Sequence, residues 1–288
     1  MSKKEGLKYI PKVLLRNTKF SYSFRALRSS LSLLIRIDWL RERESQFYSL
    51  FYDILQNDEE RELIKDMLTK VKYVDDDDTR KCYRLIADVI KNKWKCEEKR
   101  SLVVVAKRGD KSDGGDVFVY GLRNCLGWNE KRFRSSLYSL ESGKFPEVDN
   151  VIVADDFTGT GERLSGMLKQ IKNKHPDITI RFVSICLMES VAREKYPDLL
   201  SYQYYAPILL EPGMDHSKDP RVKTMEQIEE YLSPKYSDMS LDTYRLGYKG
   251  SGALYWNRQY RVPNNVYPIF WWKKRRDGTD IDPIMDYY

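Results

Sequence analysis

Residues 151–161 combine residue types that suit the binding of a sugar phosphate. Four strand-forming residues, 151–154, are followed by two adjacent carboxylates, Asp155 and Asp156, and then by the small residues of 158–161. Carboxylates accept hydrogen bonds from paired ribose hydroxyls. A Gly/Thr turn at a helix N-terminus binds phosphate through its amides and the helix dipole. The pattern predicts a ribose-phosphate site, and an ordinary strand–turn–helix with an N-capping Asp or Thr is the alternative.

This stretch resembles the phosphoribosyl-pyrophosphate (PRPP) signature of the type I phosphoribosyltransferases. In that family an apolar strand precedes two acids and a Thr-Gly phosphate loop, and Asp155, Asp156, Thr160 and Gly161 match those positions. Glu162 and Arg163 stand where the family has its closing Thr. The resemblance implies that Asp155 and Asp156 are the catalytic acids and hold the ribose hydroxyls. It implies a ribose-phosphate site formed by both acids together with Thr158, Gly159, Thr160, Gly161 and Arg163.

A second loop fits the same interpretation. Residues 101–106 predict a buried strand, and Lys107, Arg108 and Gly109 follow it. Cationic side chains would neutralise a diphosphate, and the glycine would let the backbone approach it. These three residues are the predicted pyrophosphate-binding loop, and a charged surface loop is the alternative.

Mg²⁺ is the cofactor that a pyrophosphate leaving group implies. Asp155, Asp156 and Asp215 are its candidate ligands. Asp215 lies in a loop after the last predicted core strand, and ligands bind at such loops in open α/β sheets. An ordinary surface loop is the alternative for Asp215.

The periodicity changes near residue 99. Residues 24–98 have apolar residues at helical spacing, whereas strands and helices alternate afterwards. This predicts an α/β fold: a doubly wound, mostly parallel sheet of phosphoribosyltransferase type, preceded by an all-helical region. Residues 1–98 are the predicted basic arm and helical docking domain, with a winged-helix portion as one option. Residues 99–288 are the predicted phosphoribosyltransferase-like domain with an aromatic C-terminal flap. Within this domain we predict a strand at 116–120 and helices at 129–141 and 161–173.

The composition argues against a membrane-spanning, a secreted or a zinc-binding protein. The 288 residues are 41% hydrophobic and 32% charged, and no apolar run approaches the ~20 residues of a membrane span. No secretion signal is recognised, and the four cysteines are scattered, so a cytoplasmic protein without disulfides is expected. Two histidines and no Cys-x-x-Cys pair make a zinc site improbable.

The formal charge of +7 is concentrated at the N-terminus. Residues 1–39 hold nine basic and two acidic residues, interleaved with aromatic ones. Such an arm is suited to nucleic acid through phosphate contacts and stacking, and a solvated or partner-bound arm is the alternative.

The C-terminal stretch is rich in aromatic residues, with seven among the eighteen residues 255–272. Aromatic side chains could stack on a flat base. A hydrophobic flap over the sheet, or an oligomer interface, is the alternative.

The motif at 155–161 and the tail at 263–272 together resemble phosphoribosyltransferase-like effectors of bacterial conflict and antiviral systems, including retrons. The resemblance implies a toxic enzyme that acts at the anomeric carbon of PRPP or a nucleotide, within an oligomeric assembly. Its expected partners are a reverse transcriptase with its DNA–RNA product, or other nucleic acid. One alternative is a non-catalytic nucleotide sensor that binds nucleic acid or a protein through its basic N-terminal half. Another is a structural subunit assembled through its aromatic tail.

Overall fold

The computed structural model describes residues 24–107, 114–135 and 148–287. Its α-helices are α1 (Phe24–Arg36), α2 (Asp38–Arg41), α3 (Glu44–Tyr48), α4 (Asp58–Lys70), α5 (Asp76–Asp88), α6 (Gly114–Leu126), α7 (Glu162–Lys174), α8 (Glu189–Lys195), α9 (Val222–Glu229) and α10 (Leu241–Tyr244). Its strands are β1 (Lys72–Val74), β2 (Ser101–Val105), β3 (Phe133–Arg134), β4 (Asn150–Thr158), β5 (Thr179–Leu187), β6 (Gln203–Tyr205), β7 (Ile208–Leu209), β8 (Lys235–Tyr236), β9 (Met239–Ser240) and β10 (Tyr255–Asn257). Short 3₁₀ or π-helical turns connect several of them.

A parallel sheet organises the chain around β4. Its strand order is β3-β2-β4-β5-β6, with β7 also pairing with β5, and every pairing is parallel. Both faces of β4 are buried, which explains why residues 151–154 read as a continuous apolar run. β1 and β10 form a separate parallel pair, and β8 and β9 an antiparallel hairpin.

Helices cover both faces of the main sheet. On one face, Ile152 and Ala154 of β4 belong to a core cluster with apolar residues of α5 and α6. On the other face, Val151 and Val153 belong to a cluster with Leu164 and other residues of α7. The predicted α/β fold with a mostly parallel sheet is confirmed.

The strand predicted at 116–120 is wrong, because these residues lie inside α6. The Val-Phe-Val run favours a strand locally. However, Phe118, Val119, Leu122 and Leu126 are buried at the i, i+1, i+4 and i+8 positions of a helix face. Packing of that face against the sheet overrides the local preference. The helix predicted at 129–141 is replaced by a 3₁₀ turn, Glu130–Arg132, and by β3, while residues 136–147 lie outside the described part.

The chain divides into two compact units. The helical unit contains residues 1–71, 214–245 and 268–287, and the sheet unit contains residues 72–213 and 246–267. This division differs from the boundary predicted after residue 98. The reason is α5, whose stripe of Cys82, Ile86 and Ala87 is buried in the same cluster as sheet residues.

A polar side chain caps the start of each of two helices. Asn57 accepts a hydrogen bond from the Glu60 N–H (3.0 Å) at the start of α4. Asp75 accepts one from the Asp78 N–H (2.8 Å) at the start of α5. The acidic run 75–78 is therefore a helix start, where negative charge is favourable.

A helix that spans a membrane must be both long and apolar. No helix within residues 24–107, 114–135 or 148–287 is both long and apolar enough to cross one. Most of the predicted basic arm, residues 1–23, lies outside the described part.

Two valines of α6 distinguish a helix from a strand at this position. Val117 is 47% exposed and Val119 is 7% exposed. We expect Val119→Ala to lower the free energy of unfolding by about 1–2 kcal/mol, because it removes buried methyl groups. Val117→Ala should change it by less than about 0.5 kcal/mol. Urea unfolding measures both, and equal losses at the two positions would contradict the helix.

Candidate functional site

Strand β4 carries both predicted acids. It continues past them to Thr158 and pairs with β2 and β5 on its two sides. Successive side chains of a strand point to opposite faces. Asp155 therefore lies on the α7 side and Asp156 on the α6 side.

Asp155 is bound by an arginine of the following helix. It is 3% exposed, and Arg163 Nη2 lies 2.5 Å from its Oδ1. Arg163 is in the first turn of α7, so the chain returns to the end of β4 within eight residues. The guanidinium compensates a carboxylate that burial would otherwise strongly disfavour. Arg163, predicted as a phosphate ligand, thus neutralises one of the predicted acids.

Asp156 is half-buried beside the N-terminus of α6. A Cβ on Gly114 would overlap its carboxylate, so the glycine lets the acid approach the helix end. The positive end of the helix dipole favours negative charge there. The two acids thus have separate electrostatic environments on the two faces of the sheet.

The charge of Asp156 acts on three buried tyrosines. The hydroxyls of Tyr83 and Tyr260 are hydrogen-bonded to each other, and the Tyr255 ring lies 5.0 Å from that of Phe157. Burial is the main reason that the pKa of Tyr83, of Tyr255 and of Tyr260 is raised, and the charge of Asp156 raises each further. All three phenols therefore stay protonated at neutral pH.

The loop after β4 keeps its backbone donors unpaired. Thr158 Oγ1 donates to Ser184 Oγ (3.2 Å), and its carbonyl accepts from the Met188 N–H (2.9 Å), which fix the loop to β5. Within the described residues, the N–H groups of Gly159, Thr160 and Gly161 donate no hydrogen bond. They precede α7, a 13-residue helix. Unpaired amides at a helix N-terminus bind anions.

Gly161 has the left-handed backbone that this turn requires. Its φ is 80°, and a Cβ there would lie 2.5 Å from Leu199 Cδ2. Glycine is favoured at this position for two reasons: other residues are strained at positive φ, and their Cβ would clash with Leu199. The Thr-Gly match of the sequence therefore has a conformational basis.

Glu162 occupies the position of the missing closing Thr. Its Oε2 accepts hydrogen bonds from Tyr248 (2.8 Å) and Lys249 (2.9 Å). The hydrogen bond from Lys249, followed by that from Tyr248, lowers the pKa of Glu162. Lys249 thus offsets a negative charge that would otherwise repel an anion at the loop.

Asn265 lies directly on the loop. Its carboxamide would overlap a Cβ built on Gly159, and its Nδ2 donates to Ser251 Oγ (2.9 Å). The side chain is 8% exposed. Sequence reasoning did not assign Asn265, Tyr248 or Lys249 to the site; the Gly-rich run 247–252 was the available signal.

The predicted pyrophosphate loop is only partly described. Lys107 is buried, and its Nζ lies 2.9 and 2.8 Å from the two carboxylate oxygens of Asp116. This ion pair neutralises the lysine. Arg108 and Gly109 lie outside the described residues.

Asp215 caps a turn in the helical unit. Its Oδ1 accepts hydrogen bonds from the Ser217 N–H (2.9 Å) and Oγ (2.6 Å). In the described part of the chain, no group of three or more His, Cys, Asp or Glu side chains could hold a metal ion. Because Asp155 and Asp156 also face opposite sides of β4, these residues do not fit a metal centre built from protein side chains.

The aromatic tail is core rather than surface. All seven aromatic side chains between residues 255 and 272 are buried. Trp271 and Trp272 pack on each other with ring centroids 5.4 Å apart in the helical unit. These aromatic side chains therefore pack inside the protein, and they are not exposed for stacking on a base.

One protein family accounts for most of the chain. The model of the PRTase-CE family matches residues 39–285. The chain belongs to this family. The predicted relationship to type I phosphoribosyltransferase-like proteins is confirmed, and the PRTase-CE chain is phosphoribosyltransferase-like.

Two solved phosphoribosyltransferases are similar to about half of the chain. The PRTase-CE chain is similar to the Helicobacter pylori Xanthine-Guanine-Hypoxanthine Phosphoribosyltransferase, with 17% identity, a TM-score of 0.34, and coverage of 48% of this chain and 82% of that one. It is also similar to HGPRT-ase from Leishmania tarentolae in complex with GMP, with 18% identity, a TM-score of 0.29, and coverage of 50% and 84%. No curated protein matches.

The Asp155–Arg163 pair gives a stability prediction. We expect Arg163→Met to lower the free energy of unfolding by about 2–3 kcal/mol, because it leaves a buried carboxylate without its guanidinium. Arg193→Met, which removes an exposed pair with Glu189, should cost less than about 0.5 kcal/mol. Urea unfolding of both variants measures this, and equal small losses would show that Asp155 does not depend on Arg163.

The lowered pKa of Glu162 gives a pH prediction. A carboxyl whose pKa is lower when folded adds stability above its ordinary pKa of 4.5 and loses it as pH falls through the folded value. Glu162→Gln should therefore lower Tm most at about pH 7 and progressively less toward about pH 3. The same substitution in a Lys249→Met background should show little pH dependence. Thermal unfolding across pH measures both, and a pH-independent effect in the wild-type background would contradict the ion pair.

Proposed function

We propose that the sheet unit is an enzyme that acts at the anomeric carbon of PRPP or of a nucleotide. The observation that carries the proposal is the row of unpaired amides at 159–161 directly after two carboxylates of a central strand. The amides supply donors for a 5′-phosphate, and the acids supply acceptors for ribose hydroxyls. Membership of the PRTase-CE family supports the same ligand class.

The acids have unequal roles in this proposal. Asp156 is half-buried, so its carboxylate is the more accessible acceptor for the ribose hydroxyls. Asp155 is nearly fully buried and holds Arg163, which fixes the first turn of α7 beside the phosphate loop. Gly159, Thr160 and Gly161 bind the phosphate through their backbone. Thr158 contributes by fixing the loop to β5.

The chemistry is displacement at the anomeric carbon. With PRPP, the C1–O bond breaks and the diphosphate leaves with the electron pair, while a lone pair of the acceptor forms the new bond. The acceptor then releases a proton to solvent. With a nucleotide, the C1–N bond breaks instead, and the base leaves with the electron pair and takes up a proton, while water is the acceptor. The protein's contribution is to orient the ribose and stabilise charge.

Mg²⁺ enters the proposal together with the diphosphate, as part of the substrate. The described side chains form no metal centre, and a Mg²⁺ ion commonly keeps several waters and is bound mainly by substrate phosphates. Bound in that way it would neutralise the leaving diphosphate.

The biological role proposed is that of a toxic effector in a bacterial antiviral system, acting in the cytoplasm. It rests on the resemblance carried by residues 155–161 and 263–272 and on the basic N-terminal residues. A reverse transcriptase with its DNA–RNA product, or other nucleic acid, is the proposed controlling partner, within an oligomeric assembly.

A second candidate function is a nucleotide-sensing module without turnover, with nucleic acid or a protein bound through the N-terminal half. The observation that favours it is that two basic side chains of the predicted site are paired with carboxylates of the protein itself. Arg163 is paired with Asp155, and Lys107 is paired with Asp116. A sensor needs only the phosphate and ribose contacts, whereas a transferase must also stabilise its leaving group.

Turnover distinguishes the two functions. The full chain is incubated with Mg²⁺ and PRPP, NAD or nucleoside phosphates, and released diphosphate or base is quantified by chromatography. We expect turnover with at least one of them, and a loss of about 10–100-fold in kcat/KM on Asp156→Asn, because charged hydrogen bonds to the ribose are lost. Asp198→Asn, at an exposed pair with Lys169, is the matched control.

The outcomes are distinct. Turnover that Asp156→Asn leaves unchanged would remove the acid from the mechanism. Ligand-induced thermal stabilisation without any product, across the whole panel, would favour the sensor.

A further inference from the structure

Asn265 is held in place by a strained segment of the sheet unit. The strap, defined as residues 246–253, has positive φ at Leu246 (54°) and Lys249 (55°) and at the glycines within it. Positive φ costs about 1 kcal/mol or more at a non-glycine residue, so such a conformation persists only where surrounding contacts fix it. The strap must therefore be held by what it contacts.

Those contacts converge on Asn265. The Ala253 N–H donates to the Asn265 carbonyl (2.9 Å), and Ser251 Oγ accepts from Nδ2 (2.9 Å). Gly247 passes so close to the Asn265 carbonyl that a Cβ there would overlap it. Backbone and side chain of Asn265 are thus both fixed by the strap.

The carboxamide that results is only partly satisfied. Nδ2 has two N–H groups, and one of them is used by Ser251. Within the described residues, Ser251 is the hydrogen-bond partner of the carboxamide, and Oδ1 is not among the buried side-chain atoms that lack a partner. The second N–H is therefore left for a ligand. A strained strap that holds an amide with a donor to spare is expected where the amide serves a ligand.

The position of this amide identifies the ligand's chemistry. It rests on Gly159, the first residue of the loop whose N–H groups are unpaired. Unsatisfied donors from two distant parts of the chain therefore lie at one place, beside the N-terminus of α7. Several N–H donors close together suit an oxyanion, and a phosphate has enough acceptor oxygens to satisfy them.

We propose that Asn265 is a phosphate-binding residue, whose carboxamide donates to the phosphate held by Gly159, Thr160 and Gly161. The inference rests on the proposed function, which places a 5′-phosphate in this loop. It adds a binding residue from the C-terminal part of the sheet unit. It also gives the strap a role: it orients the carboxamide before ligand binds.

The competing explanation is that Asn265 serves only to hold the strap. Under that explanation its removal would change stability but not phosphate affinity. Asn265→Ala and Asn265→Asp separate the two, because the second keeps an oxygen acceptor and adds a negative charge against Gly159. Asn264→Ala is the matched control, since the Asn264 side chain makes no hydrogen bond with the described residues.

Ribose 5-phosphate and PRPP are the probes, with affinity measured by isothermal titration calorimetry. We expect Asn265→Ala to weaken ribose 5-phosphate binding about 10–100-fold, the loss of one hydrogen bond to a charged group. Asn265→Asp should weaken it further through like-charge repulsion. Asn264→Ala should remain within about twofold of wild type. Circular dichroism on each variant verifies that it is folded.

A second measurement follows ligand binding on the wild-type chain and uses a folded variant only to assign one signal. With ¹⁵N-labelled asparagine, the side-chain amide pair of Asn265 is the one missing from the Asn265→Ser spectrum. We expect this pair to shift on addition of ribose 5-phosphate, with the same midpoint as the calorimetric titration. An amide pair that does not move at saturating ligand would overturn the proposal.

The two proposals fail differently. If wild type binds neither ribose 5-phosphate nor PRPP, the proposed function fails and the role of Asn265 fails with it. If wild type binds and folded Asn265 variants bind equally well, only the role of Asn265 is overturned.

Discussion

The site depends on the cost of placing two adjacent carboxylates at the end of a central, buried strand. Alternation sends Asp155 and Asp156 to opposite faces, so one partner cannot neutralise both. Each face supplies its own compensation: Arg163 from α7 on one side, and the N-terminus of α6 on the other. The need to compensate both charges therefore fixes the starts of two helices beside the end of β4.

The proposed phosphate loop, residues 159–161, follows from the same strand. Thr158 ends β4 with its side chain and carbonyl bonded to β5, so the chain turns away from the sheet immediately afterwards. The N–H groups of the next three residues donate no hydrogen bond within the part of the chain that the structure describes, and α7 begins directly after them. Glu162 would spoil this anion site, but its charge is offset by Lys249 of the strap. The loop's electrostatics thus depend on both its neighbours in sequence and a distant segment.

The sequence was informative where the structure is local. The strand, the twin acids and the Thr-Gly turn are contiguous, and strand propensity, helix-start chemistry and glycine conformation suffice to predict them. At residues 116–120 the sequence predicted a strand, because valine favours strands. The residues form a helix instead, because their buried face packs against the sheet. The Gly-rich run 247–252 indicated an irregular segment, but the sequence could not assign Asn265 or Lys249 to the site, because only folding brings residues 246–265 against the loop. The sequence did not predict the ion pair of Lys107 with Asp116 either, because it predicted a strand at residue 116, which lies in helix α6.

Catalysis or sensing is decided at the leaving group rather than at the ribose. In the proposed function, the ribose-phosphate end offers acceptors, donors and an oriented helix, all of which would serve a bound nucleotide whether or not it reacts. The negative charge on a departing diphosphate increases as the C1–O bond breaks, so positive charge beside it stabilises the transition state more than the ground state. Lys107 cannot supply it while Asp116 neutralises it. The additional charge must then come from Mg²⁺ carried by the substrate or from a basic residue such as Arg108. A transferase and a sensor with this fold therefore differ in what meets the diphosphate, while sharing the entire phosphate loop.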